Sequence, residues 1–216
     1  MNALRIALVV AGLLAVPLPA SAQDTSGITE ATRTMFQMAY CAVRRDATDA
    51  RKLFMTAPGS KEEARLIRSL TSQQCFGFLA GAQNPEFDRQ LIRGAIAEAV
   101  LDDARNRRGH PDPSVAPFGN LSADAIAALD AKGQASLIGL DFAQCVVAAS
   151  PEGVNALLNT NPIRGTQDKA IQQLQPYLGP CLPKGAEVSF SKLVLRGLLA
   201  EAAYRSLYFT TAAGKK

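Results

Sequence analysis

The chain has no tryptophan and a single histidine, His110. It holds no HExxH, GxSxG, P-loop or GxGxxG pattern. The one histidine sits in a proline-rich stretch, which reads as a solvated loop rather than the site of a positioned base. No two cysteines have CxxC spacing, so a zinc site is not expected, and neither a metal nor a cofactor is assigned. Ser189-Phe190-Ser191-Lys192 matches S-x-x-K, but its S-D-N and K-T-G companions are missing, and the stretch reads as a helix N-terminus. Glu62-Glu63 and Asp102-Asp103 are neighbours on helices, about 100° apart around the axis, so neither is a ready acid–base couple. No catalytic residue is assigned. Charge of one sign is also scarce: the net +4 falls to +3 once a leader containing Arg5 is removed, too little to argue for nucleic acid or an anionic membrane. Beyond the leader no run of 18 apolar residues occurs, so the mature chain is expected to be soluble, with no membrane span.

The leader is residues 1–22. Arg5 is its positive end, Ile6 to Leu18 its short apolar run, and Ala20-Ser21-Ala22 an A-x-A cleavage site. The expected location is therefore periplasmic or secreted, after cleavage near Ala22. Export gives meaning to Cys41, Cys75, Cys145 and Cys181. In an oxidising compartment an even count reads as two disulfides, with three possible pairings.

An internal repeat selects one pairing. Ile92-Arg93-Gly94-Ala95-Ile96-Ala97-Glu98-Ala99 returns as Leu195-Arg196-Gly197-Leu198-Leu199-Ala200-Glu201-Ala202. Ala39 to Val43 match Ala143 to Val147 at an offset of 104, as do Leu53 with Leu157, Thr56 with Thr160 and Pro58 with Pro162. The offset is 106 from Gly59 and Gly165 to Cys75 and Cys181, and 103 at Phe87 and Phe190 and at Arg93 and Arg196. It changes only where loops are expected, and loops tolerate insertion. A duplicated unit keeps its own bridge, so Cys41–Cys75 and Cys145–Cys181 are expected. Each closes about 35 residues and contributes roughly 4 kcal/mol.

The expected fold is all-α: two tandem, sequence-related units of about four helices, one disulfide in each. The first unit is residues 23–106, with helices at 28–45, from a Thr48 cap through Met55, at 61 to about 73, and at about 85–105. Ala57-Pro58-Gly59 breaks the second from the third. Ser60 with Glu63 forms a capping box for the third helix, whose apolar face is Ala64, Ile67 and Leu70 or Leu66. Asn84 and Pro85 open the fourth. Residues 107–134 are a linker, with a short helix capped by Ser122 and ended by Gly133. The second unit is 135–209: a helix at 135–148, a short one capped by Ser150 with Pro151, a third capped by Thr166, and a fourth from Ser189 or Ser191 to about Tyr208. Residues 210–216 form a tail.

Ile92, Ile96, Ala99 and Ala95 share a helical face, as do Leu195, Leu199, Ala202 and Leu198, each expected to face its own half. Gly94 and Gly197, mid-helix and costly there, suggest a close backbone. Arg and Glu five residues apart lie about 140° apart and cannot pair along their helix. Three readings follow for Arg93, Glu98, Arg196 and Glu201. They satisfy partners in their own half; or Arg93 meets Glu201 and Arg196 meets Glu98 across a pseudo-two-fold axis; or they line a ligand or partner site. Nothing resembles a family of known activity. The expected function is an exported, non-enzymatic binding protein for another protein or a cell-envelope component. The alternative is a metal-independent carboxylate enzyme, glycan-directed, with Glu98 and Glu201 opposed between the repeats.

Overall fold

A computed structural model describes residues 25–71, 75, 88–107, 123–163, 166–182 and 190–213. The leader, the Asn84-Pro85 helix start, His110 with most of its linker, Ser122 and Ser189 lie outside these residues. The described residues are α-helical with no strand: α1 (Thr25–Arg45), α2 (Ala47–Leu53), α3 (Lys61–Leu70), α4 (Arg89–Arg107), α5 (Ala123–Ala127), α6 (Ala131–Ala149), α7 (Pro151–Leu158), α8 (Gln167–Leu178) and α9 (Lys192–Ala213). A 3₁₀ turn, Gly179–Cys181, follows α8.

Several helix starts differ from the expected ones. Asp46, not Thr48, caps α2, its side chain accepting from Asp49 N at 2.9 Å. Gly133 does not end a helix. It lies in the first turn of α6, where Asp130 caps by accepting its N–H at 2.7 Å, so α6 starts four residues before position 135. Ser150 and Thr166 precede α7 and α8 but make no side-chain capping bond. At α7, Pro151 in the first turn has no N–H to satisfy, which lessens the need for one. Ser191 caps α9 through Val194 N, and the helix runs on to Ala213.

The capping box forms with a shift. Ser60 Oγ accepts from Glu63 N at 3.1 Å, but the Glu63 carboxylate reaches back to Gly59 N at 2.7 Å rather than to Ser60 N. Ser60 N instead donates to Ala57 O. Gly59 holds φ +81°, a left-handed conformation open to glycine at little cost. Leu66, Ile67 and Leu70 are buried on α3, while Ala64 is only partly covered.

The two disulfides are Cys41–Cys75 and Cys145–Cys181. They tie α1 to the segment after α3, and α6 to the 3₁₀ turn. An oxidising compartment fits them.

α4 and α9 form the most extensive helix–helix interface, with α1 packed on α4 and α6 on α9. These two central helices have no solvated face over residues 92–101 and 195–205. The expected faces of Ile92 and Leu195 are therefore buried, but so are the other sides, and the helices turn toward each other rather than only toward their own neighbours. Their contact is at the glycines. A Cβ added at Gly94 lies 2.7 Å from Gly197 Cα, and one at Gly197 lies 2.6 Å from Gly94 Cα. In an exposed helix Gly→Ala gains about 1 kcal/mol. Here Gly94→Ala is expected to lose about 1–3 kcal/mol, because backbone must move to admit the methyl group. Urea unfolding reads the sign directly; a gain in stability contradicts the close packing.

No single described helix is long and apolar enough to cross a membrane. The α6–α7 pair passes on composition only when joined, and it turns by 109° at Ser150.

Candidate functional site

Mid-helix positions on α4 and α9 carry the buried charges. Arg93 donates from Nε and Nη2 to the two oxygens of Glu201, both at 2.8 Å. Its Nη1 donates to Glu63 Oε1 at 3.0 Å, and its Nη2 also reaches Thr56 O at 3.3 Å. The guanidinium lies 5.5 Å from the Phe54 ring centroid. Arg205, one turn beyond Glu201, donates to the same carboxylate and to Phe54 O. Two guanidiniums thus meet two carboxylates, Glu63 and Glu201, all at most 4% exposed.

On the opposite side Arg196 donates from Nε and Nη2 to Glu98, both at 2.6 Å. Its remaining N–H groups go to Leu157 O, Leu158 O, Thr160 O and Thr160 Oγ. Arg196 is among the most deeply buried large side chains of the described chain. Thr56 and Thr160 hold matching places: each hydroxyl donates to a carbonyl three residues back, Leu53 or Leu157, and accepts from its arginine. The four candidate residues therefore meet in two ion pairs between α4 and α9, and Arg93 has a partner on α3 as well. Glu63 had been legible only as a cap. Arg205 had no role in the sequence reading, although its spacing of four from Glu201 is a helical pairing distance.

Burial by itself raises the Glu201 pKa, but the Arg93 and Arg205 guanidiniums outweigh it and lower it from 4.5 to about 2. A depressed carboxylate stabilises the fold in full above its unfolded value and loses that contribution as pH falls through its folded value. The window is thus about pH 4.5 down to 2, and the size about 3 kcal/mol. Glu201→Gln is expected to flatten the fall in stability across that window, read by urea midpoints at pH 6 and pH 3. An unchanged slope would assign the acid sensitivity to other carboxylates.

Two depressions flank these pairs. One, about 70 Å³, has Arg93, Glu63 and Glu201 in its floor and Ser136 and Leu140 of α6 in its wall. Its lining includes two exposed ion pairs between the start of α4 and the start of α6, Arg89–Asp130 at 3.5 Å and Lys132–Asp88 at 3.3 Å. The other is an open groove of about 570 Å³ between α1 and the turn at Asn161–Ile163, with Glu98 at its base. Phe36, Tyr40, Arg33 and Arg44 line its α1 side. Partial burial pushes the Tyr40 phenol up to about 12, helped by Asp102 and Glu98 nearby, so it stays a neutral donor. Among the described residues no cluster of three or more His, Cys, Asp or Glu side chains could hold a metal ion. Comparison with family models, curated proteins and solved structures finds no match for this chain.

Proposed function

We propose that the chain is an exported binding protein, built of two related helical units joined at α4 and α9, that works by presenting surface to a partner protein or envelope component. The observation carrying this is the use of Arg93, Glu98, Arg196 and Glu201. Each is consumed in a buried ion pair that fastens α4 to α9. Side chains so engaged are spent on the framework, which leaves the outer grooves for function. The matching Thr56–Arg93 and Thr160–Arg196 contacts support the two-unit reading. The A-x-A site at Ala20-Ser21-Ala22 and the two disulfides support export.

A carboxylate enzyme acting on glycans is the competing reading. It needs one carboxyl that carries a proton near neutral pH. Glu98 and Glu201 each accept an arginine N–H on both oxygens, so both carboxylates are engaged in the framework rather than free to act on a substrate. The test is purification of tagged residues 23–216 from the periplasm of the native host, with mass spectrometry of what accompanies them. One specific partner at near-stoichiometric yield is expected. A partner-free protein that degrades envelope glycan, and stops doing so as Glu98→Gln or Glu201→Gln, overturns the proposal.

A further inference from the structure

The two depressions occupy corresponding places. Each lies against the glutamate of an α4–α9 ion pair. Each has the turn after a short helix on one side, Pro58-Gly59 or Pro162-Ile163, and a long helix on the other, α6 or α1. At the 104-residue offset that relates Cys41 to Cys145, Phe36 of the groove falls on Leu140 of the smaller pocket. The two have diverged in content. The α6 pocket is the smaller, about 70 Å³ against about 570 Å³. Two ion pairs stand in its lining. The α1 groove is open and has the volume of an ordinary ligand site.

The α1 side is a single stripe. Arg33, Phe36, Gln37, Tyr40 and Arg44 follow a spacing of three and four residues, so they share one helical face. The corresponding α6 positions are Leu137, Leu140, Asp141, Gln144 and Ala148, with no cation and no aromatic ring. Arg33 is tied only to exposed Glu30, and Arg44 makes no ion pair among the described residues. Glu98 at the base is neutralised by Arg196. Asp102, near the Tyr40 phenol, adds one negative charge beside the middle of the stripe. The ends of the stripe are therefore cationic, its middle aromatic. Eleven residues of helix separate the two arginines by about 16 Å. An extended peptide covers that distance in about five residues.

We propose that the α1 groove is the partner-binding site, and that it takes an extended segment of a partner protein with an acidic residue near each end and an apolar residue between, Arg33 and Arg44 receiving the carboxylates and Phe36 and Tyr40 the apolar side chain. Arginine suits this, since its fork meets a carboxylate with two parallel bonds. The α6 pocket is the structural counterpart, smaller and with the Asp88–Lys132 and Arg89–Asp130 ion pairs in its lining. The inference rests on the binding-protein reading and goes beyond it in naming the surface and the chemistry of the occupant.

The probes are two fluorescent pentapeptide pools, Glu-Xaa-Leu-Xaa-Glu and Lys-Xaa-Leu-Xaa-Lys, titrated against residues 23–216 by anisotropy. Binding of the acidic pool at least about tenfold tighter is expected, with the preference reversed in Arg33→Glu/Arg44→Glu, the charge of each contact having changed sign. Both arginines are exposed, so the double variant should keep its helical circular dichroism and thermal midpoint; a variant that unfolds is replaced by Tyr40→Ala, which should lose the acidic pool without acquiring the basic one. Equal binding of both pools, or acidic binding untouched by either variant, overturns the groove assignment. Native-host capture in parallel separates the two levels. Partner retained by Arg33→Glu/Arg44→Glu sinks the groove alone, whereas no partner with either protein sinks the binding reading itself.

Discussion

Glu201→Ala is expected to cost about 3–5 kcal/mol, because removal of one member of a buried ion pair leaves charge with no solvent to accept it. Two guanidiniums lose their shared carboxylate, Arg93 and Arg205. Arg93 keeps Glu63, while Arg205 keeps Phe54 O, a neutral acceptor. The measurement is chemical unfolding of the single variants, of Arg93→Met, and of the pair. The double-mutant coupling between Arg93 and Glu201 is expected near 2–3 kcal/mol, the upper range for residues in one network. Additive losses would mean that the contact contributes nothing specific. The same cycle at Arg196 and Glu98 should recover less when both are replaced by apolar residues. Arg196 also satisfies the carbonyls of Leu157, Leu158 and Thr160, and an apolar side chain cannot donate to them. The two pairs thus give the α4–α9 junction its register by different means, one through a four-charge cluster, the other through the C-terminal carbonyls of α7.

The all-α class and the cysteine pairing were legible because they depend on local spacing and on matches between two stretches of the same chain. Helix starts were less so. Gly133 carries the signal of a helix stop, and only the Asp130 side chain over its N–H makes it a first-turn residue. The direction of α4 and α9 was also hidden. A helix covered on every side has apolar residues all round, so periodicity points nowhere. Gly94 and Gly197 were the available clue to a close neighbour, but the choice among own-half, cross-helix and ligand partners for Arg93 depends on which turn of α9 faces which turn of α4. That register is a tertiary fact. The groove was missed for a related reason. The sequence marks a helix at 28–45, but the Arg33–Tyr40–Arg44 stripe on it has no meaning until Pro162 and Ile163 stand opposite.

Loss of both disulfides is expected to unfold the chain at 37 °C. The bridges span 34 and 36 residues, and each restricts the unfolded ensemble by about 4 kcal/mol. Together that is comparable to the whole stability of an ordinary domain, about 5–15 kcal/mol. They should not open together. Cys145 is exposed and Cys181 partly so, whereas Cys75 is 4% exposed with Arg45 Nη1 lying 3.6 Å from its sulfur. A thiolate reductant must reach a sulfur before it can exchange, so Cys145–Cys181 is expected to reduce first, and Cys41–Cys75 only as the fold opens. Alkylation at timed intervals, with mapping of the labelled cysteines, gives the order. Cys41→Ser/Cys75→Ser should then be the more damaging replacement, since it adds a buried hydroxyl to the lost crosslink, and Cys145→Ser/Cys181→Ser the milder. The same arithmetic bears on the compartment. Residues 23–216 made in a reducing cytoplasm should accumulate as unfolded or aggregated chain, and folded chain should be recovered from an oxidising compartment. A fully reduced protein that keeps its helical signal and its thermal midpoint would remove the physical reason for export that the cysteines supply.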